Sequence, residues 1–430
     1  YCMSDYDDIR PYHDDEVRQV LQRVIADDEF IDLAGQLRFS RWYTNFRWMM
    51  RPIVRRFFQH RSARIHSVQD LQGIVEQYMA RMIEQTTSGF TVSGLDEVDL
   101  SQPHVFMSNH RDITLDPAFT NYALYHKGGA TLRIAIGDNL LSKPYAADLM
   151  RLNKSFVVQR SISKPRELLR ALKKLSGYIW HSLHSDKENI WLAHREGRAK
   201  DGMDRTEPAI IKMLAIAKPK AVSLSDYIND LSIVPVSISY EFDPCDAIKA
   251  KEIRMLSEKQ AYAKSEHEDL ASIGLGIQGF NGQVNLVFGK PLVVTTNNAE
   301  EIARQLDEQI VRNYQLQPTN VIAYLNLYGE HAWAKAQAVL EASERHHVIP
   351  GVDATTQATF VARMEAIDPV DRNMALHMYA NPVLHKLYFL DATEYPLPNG
   401  YGAAQGAVGT STVDTPAVDA QVVDAQVKVQ

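Results

Sequence analysis

Residues 104–119 read HVFMSNHRDITLDPAF, and the fold turns on how that stretch is parsed. The apolar run HVFMSN is a short strand that leads straight into His110. Asp116-Pro117 reads as a helix start, with Asp as N-cap and Pro at the first helical position. His110 is then expected on a strand-to-helix loop, a frequent place for catalytic groups in α/β sheets. An imidazole there can take a proton from an alcohol near neutral pH, and a carboxylate can fix its tautomer and stabilise the imidazolium. The plain alternative is a loop histidine beside a capping aspartate. A helix turns about 100° per residue, so neither Asp112 nor Asp116 would lie on the face of a helical His110. The partner must come from the loop or from the helix start. Asp116 is the expected partner, because Pro117 fixes the chain and free N–H groups stabilise a carboxylate there; Asp112, in mid-loop, is its rival.

Outward from this stretch the same grammar repeats. FTVSGL (90–95), TLRIAIG (131–137), SFVVQR (155–160), NIWLAH (189–194), LSIVPVSISY (231–240) and QVNLVFGKPL (283–292) are further short β-rich runs. Helical stretches lie between them, most clearly over 165–184, where Leu168, Leu172, Leu175, Ile179 and Leu183 form one stripe. The expected fold is therefore α/β: a mixed, largely parallel sheet flanked by helices. Residues 1–89 read as an N-terminal helical region, 90–298 as the α/β domain and 299–395 as a C-terminal helical region. Residues 396–430 read as a disordered tail, with the repeat VDAQVVDAQV and no aromatic after Tyr401.

Bulk properties narrow the function. The 430 residues are 45% hydrophobic, enough for a sizeable core, and the formal net charge of -7 argues against nucleic acid as a partner. Only Cys2 and Cys245 are present, at a separation that fits no metal or redox motif, so a reducing, cytoplasmic setting is expected. The opening YCMSDYDDIRPYHDDE is acidic and polar, unlike a signal peptide, and no run of eighteen apolar residues occurs.

Three further segments carry candidate chemistry. SFVVQR ends in Arg160, a cation at a strand end that can hold a phosphate. NIWLAHREGRAKDG (189–202) ends a strand in His194-Arg195-Glu196-Gly197-Arg198, with Lys200 just beyond. Arginines around a glycine make a phosphate or carboxylate cradle, or alternatively a solvated charged loop. SIVPVSISYE places Pro235 inside an apolar run, which predicts an interrupted or edge strand.

Taken in order, these blocks resemble the glycerol-3-phosphate and 1-acylglycerol-3-phosphate (lysophosphatidate) acyltransferase superfamily over roughly 90–290. That family has a His, four residues and an Asp; then an Arg after an apolar strand; then an apolar strand followed by Pro-Glu-Gly-Thr-Arg-Ser; then an apolar strand containing Pro. Here five residues separate His110 from Asp116, and Asp116-Pro117 anchors the comparison. The family's Pro before Glu is Arg195 here, and its Arg corresponds to Arg198 or yields its role to Lys200.

The resemblance implies that His110 is the general base and Asp116 its orienting partner. Arg160, Arg195, Glu196, Gly197, Arg198 and Lys200 would bind and place the acceptor's phosphate. The implied reaction carries a fatty acyl group from acyl-CoA or acyl carrier protein to glycerol-3-phosphate or 1-acylglycerol-3-phosphate, in phospholipid synthesis. No metal or organic cofactor is implied. The alternatives are acylation of another lysolipid or alcohol, and a non-catalytic lipid-binding adaptor.

Two strings are set aside. His110-Arg111-Asp112 lacks the companions of a kinase catalytic loop. Gly274-Leu275-Gly276-Ile277-Gln278-Gly279 fits a dinucleotide fingerprint but precedes a strand, so it reads as a flexible lead-in to that strand. One segment points to lipid. Between Asp32 and Asp70 there are eight arginines and no acid, interleaved with Trp42, Tyr43, Phe46, Trp48, Phe57 and Phe58. The segment 38–64 is thus expected to meet an anionic membrane surface, with Arg47, Arg51 and Arg55 one helical turn apart and Pro52 kinking or dividing the helix. The alternative is a helix packed on the domain, its arginines solvated or paired with acids.

Overall fold

The computed structural model of the chain describes residues 5–258, 268–343 and 348–397. Four helices come first: α1 (Asp14–Ala26), α2 (Asp28–Asn45), α3 (Arg47–Ser62) and α4 (Val68–Thr86). Ser67 caps α4 by accepting the Asp70 N–H, and the Asp70 carboxylate returns the bond to the Ser67 N–H. The α/β part follows as β1 (Thr87–Ser93), β2 (Val105–Ser108), α5 (Leu115–His126), β3 (Leu132–Gly137), α6 (Pro144–Leu152), β4 (Ser155–Val158) and α7 (Pro165–His184). It continues with β5 (Asn189–Ala193), α8 (Pro208–Leu214), α9 (Leu224–Asp230), β6 (Ile233–Tyr240), α10 (Asp246–Ser257), α11 (Glu268–Gln278) and β7 (Gly282–Phe288). Four helices close the described chain: α12 (Ala299–Asn313), α13 (Pro318–Ala342), α14 (Ala354–Ala366) and α15 (Arg372–Leu390).

The strands form one seven-stranded sheet in the order β1-β7-β6-β2-β5-β3-β4. Every pairing is parallel except β6 with β7. The fold is therefore α/β, mixed and mostly parallel, as the sequence pattern predicts. The central strands read as unbroken apolar runs because helices cover both faces. One face packs Phe106, Phe119, Val234 and Leu286 under α4 and α5, and the other packs Val105, Met107, Ile179 and Ile302 under α7 and α12. This arrangement sets the C-terminal ends of β2, β5 and β6 side by side, where loops can converge.

Three local expectations change. Pro235 lies in a central, fully buried strand, not an interrupted or edge one. Its carbonyl, on the same side as its nitrogen, accepts the Gly289 N–H at 2.7 Å, just past the end of β7. The missing N–H thus faces Gly289, just past the paired residues of β7, and forgoes only one bond at the end of the ladder. Gly274 to Gln278 lie on helix α11 instead of forming a flexible lead-in. Gly276 is needed there because a Cβ would come within 2.2 Å of the Asp112 carboxylate. Pro52 sits inside a continuous α3. Residues 398–430, which hold most of the tail read as disordered, lie outside the described residues, as does Cys2.

The basic helix is also redirected. Arg47, Arg51 and Arg55 turn back onto α2: Arg47 and Arg51 pair with Asp32, and Arg51 and Arg55 pair with Asp28. These three are the acid-paired arginines of the alternative reading, and hydrogen bonds from Arg51 hold the Asp32 carboxyl well below the usual range. α3 also shows apolar side chains to solvent, Trp48, Met49, Ile53 and Phe57, with Trp48 80% exposed, alongside the exposed Arg56, Gln59, His60 and Arg61. Among the described residues, no helix is long and apolar enough to cross a membrane.

Candidate active site

Strand β2 ends at Ser108, and Asn109 carries the chain on by side-chain mimicry of a strand. Its carboxamide accepts the Ile238 N–H at 2.8 Å and donates to the Ile238 carbonyl at 2.9 Å. His110 follows at once, with its side chain 13% exposed. Its Nδ1 lies 2.8 Å from Oδ2 of Asp116, which is fully buried. With a carboxylate as acceptor, Nδ1 carries the proton and Nε2 keeps the lone pair. Trp191 from β5 packs edge-on against the ring at 5.8 Å between centroids.

The Asp116 carboxylate is held from four directions. Oδ2 also accepts the N–H groups of Arg111 at 2.6 Å and Asp112 at 3.0 Å, while Oδ1 accepts the Tyr240 hydroxyl at 2.8 Å. The position differs from a helix cap: α5 starts at Leu115, one residue earlier, with Thr114 at the N-cap. Asp112 supplies the cap's side chain, its Oδ1 accepting the N–H groups of Thr114 at 2.9 Å and Leu115 at 2.8 Å. The two carboxylates have thus divided the work, Asp116 facing the imidazole and Asp112 the helix start.

The electrostatics follow from burial. Burial pushes the His110 imidazole below its ordinary value, Asp116 opposes that, and the charges of Arg198 and His194 push it down again. A neutral imidazole at neutral pH is the form that can accept a proton. Burial, with Asp116 close by, pushes the Asp112 carboxyl up to about 6. The Tyr240 hydroxyl is raised well above its ordinary value, first by burial and then by Asp116, so it remains a donor to that carboxylate.

The loop after β5 wraps the same site. The Ala199 N–H donates to the His110 carbonyl at 2.7 Å. Gly197 takes φ +70°, and nothing lies within 4 Å of where a Cβ would sit, so the backbone is open to an approaching group. Arg198 is 7% exposed; its Nη2 reaches the Ser272 hydroxyl at 3.4 Å, and its Nη1 is buried with no hydrogen-bond partner. The Arg195 Nε is likewise buried and unpartnered. Lys200 is bound to Glu252. Arg160 reaches across from the end of β4 to Glu196 at 3.5 Å, so the second and third candidate segments meet.

Several members of this assembly are silent in the sequence. Arg111 is buried in an ion pair with Asp204 at 2.6 Å, stacks over Tyr314 at 5.3 Å, and lends its carbonyl to Lys249 at 2.7 Å. Asp204 in turn accepts from Asn109 and meets His385 of α15 through its N–H at 3.3 Å. Tyr240, the last residue of the run LSIVPVSISY, is the one member whose alternation along a strand could have flagged it.

A cavity of about 300 Å3 adjoins the site. Ile113, Thr114 and Pro117, from the loop and helix start after His110, form one end, and Ile134, Ile136 and Leu149 continue its apolar wall.

Residues 89–239 match the family model described as Acyltransferase. The match contains His110, Asp116, Arg160 and Arg198. No curated protein matches the chain. Among solved structures, the crystal structure of the 1-acyl-sn-glycerophosphate (LPA) acyltransferase PlsC from Thermotoga maritima is similar at 14% identity and a TM-score of 0.34, over 68% of this chain and 97% of that one.

Proposed function

We propose that this chain, whose residues 89–239 match the Acyltransferase family model, transfers a fatty acyl group from a thioester, acyl-CoA or acyl carrier protein, to a hydroxyl of glycerol-3-phosphate or 1-acylglycerol-3-phosphate. The observation that carries the reading is the His110 Nδ1 to Asp116 Oδ2 contact of 2.8 Å at the end of a central strand. Nε2 takes the proton of the acceptor hydroxyl as its oxygen attacks the thioester carbonyl. Asp116 stabilises the imidazolium that forms, which then protonates the departing thiolate. The acyl chain lies along the apolar cavity beside α5.

On this reading Arg198 is the phosphate ligand, since its Nη1 is buried without a partner while Lys200 is bound to Glu252. Arg195 and Gly197 would complete the cradle, with Arg160 and Glu196 at its rim. The protein would work at the cytoplasmic face of a membrane, where a lysophospholipid acceptor resides. The exposed apolar face of α3, with Arg56 and Arg61 beside it, would rest on the lipid.

The test measures thiol release from acyl-CoA and acyl carrier protein with each acceptor, and identifies the lipid product. His110→Ala is expected to fold and to lose on the order of 100- to 10,000-fold in turnover. Retention of wild-type turnover within about threefold would remove His110 from the mechanism.

A further inference from the structure

The cavity beside α5 is apolar where it meets the catalytic loop and polar at its other end. The polar end is ordered by a chain of donors. Lys154, in the left-handed region at φ +62°, directs its ammonium to the Thr131 hydroxyl at 3.0 Å, to the Thr131 carbonyl at 3.1 Å and to Glu188 at 2.6 Å. An ammonium only donates, so the Thr131 oxygen accepts from it. The hydroxyl hydrogen then goes to Oε1 of Gln72, at 2.8 Å. The reverse orientation of the Gln72 amide would leave that hydrogen without its acceptor, so Nε2 is the end turned away from Thr131.

Gln72 is 8% exposed and lines the cavity, and its Nε2 is buried with no hydrogen-bond partner. Asn153 lines the same cavity, and its Oδ1 is also buried and unpartnered. One orphan is a donor and the other an acceptor. Buried polar atoms without partners are uncommon, and here two of complementary sense belong to residues lining one cavity. A hydroxyl can answer either, accepting from Gln72 or donating to Asn153. A ketone would satisfy only the donor, and a methyl group neither.

The depth of this end follows from the strand. Ile136 and Thr131 both line the cavity, and five residues of extended chain span about 16 Å. The polar end is therefore far from the reacting carbonyl, at the distal part of a bound chain.

We propose that this cavity selects acyl chains carrying a hydroxyl near the end remote from the thioester, with Gln72 and Asn153 as the specificity-determining residues. The proposal rests on the acyl-transfer reading above. A plain chain long enough to reach Gln72 strips that end of water and leaves both groups unpaired, whereas a short plain chain leaves water in place. The preference is thus confined to chains that reach.

The experiment uses the full chain and pairs of plain and distally hydroxylated acyl-CoA thioesters of increasing length, with one fixed acceptor. The ratio of kcat/KM within each pair is read for wild type, Gln72→Met and Asn153→Leu. For wild type the ratio is expected to be near one for short pairs and to rise to about tenfold or more in favour of the hydroxylated chain once the chain reaches the polar end. Both variants are expected to bring the long-chain ratio back towards one. A wild-type ratio near one at every length overturns the proposal and leaves the acyl-transfer reading intact. So does a wild-type preference that neither variant alters, which would place its origin elsewhere. Absence of thiol release from every thioester overturns both.

Discussion

Replacing Asp116 by Asn removes one charge and keeps the shape, and the structure dictates how the carboxamide will sit. Oδ2 accepts from His110, Arg111 N–H and Asp112 N–H, while Oδ1 meets only the Tyr240 hydroxyl. An NH2 group facing two backbone donors is untenable, so the amide oxygen should take the Oδ2 position and the NH2 should face Tyr240, whose oxygen can accept. The His110 tautomer would then survive, and the loss would be the charge that stabilises the imidazolium. That loss lies between about 2 kcal/mol, for a charge-assisted bond reduced to a neutral one, and about 4 kcal/mol, for a pair some 4 Å apart at an effective dielectric constant near 20. The expected fall in kcat is about 30- to 1000-fold. Losing the carboxylate also lowers the His110 pKa further, because Asp116 is the group that opposes the effect of burial. Since the base must be neutral, the acid limb of the pH–rate profile should move to lower pH as the plateau drops. Asp112→Asn keeps an oxygen for the N–H groups of Thr114 and Leu115 and should hold turnover within about threefold. Turnover at saturating substrates, pH profiles and thermal melts of both variants make the assay. A dead Asp112→Asn beside an active, folded Asp116→Asn would refute the pairing and make the motif His-x-Asp.

Arg198→Ala should raise the acceptor KM roughly 10- to 100-fold with little change in donor KM, whereas Lys200→Ala, which breaks an ion pair with Glu252, should lower the melting temperature and spare acceptor KM; equal donor-side effects would reassign the loop to the donor's phosphates. Trp48→Ser, Ile53→Ser and Phe57→Ser combined should weaken binding to anionic vesicles more than tenfold, given about 1.5 kcal/mol or more per buried side chain. Replacing Arg47, Arg51 and Arg55 by Gln should instead destabilise the α2–α3 pair, which a melt would show, and vesicle sedimentation unchanged by the Ser variants would exclude this face. The Asp112 carboxyl, raised to about 6 in the fold, binds its proton more tightly folded than unfolded. Stability should therefore fall as pH rises from about 4 to 6, and Asp112→Asn should flatten that slope in denaturant titrations across the window.

Local pattern reached far in this chain. All seven strands and the helix over 165–184 were legible because alternation and 3.6-residue periodicity are properties of neighbouring residues, and helices on both faces of a parallel sheet demand unbroken apolar runs such as NIWLA and IVPVS. The six-residue separation of His110 from Asp116 likewise marked a loop that could fold an imidazole back onto a carboxylate. What stayed illegible depends on partners remote in sequence. Asp116 faces the imidazole because Arg111 and Asp112 turn their N–H groups inward and Tyr240 arrives from 124 residues away. Pro235 fits a central strand because β7 ends beside it. Arg47, Arg51 and Arg55 of α3 turn to Asp28 and Asp32 of α2, since charge along a chain does not say which opposite charge will be nearest in space. The buried Nε2 of Gln72 and Oδ1 of Asn153 are separated in sequence by three strands, and only tertiary packing decides that both residues line one cavity with those atoms unpartnered.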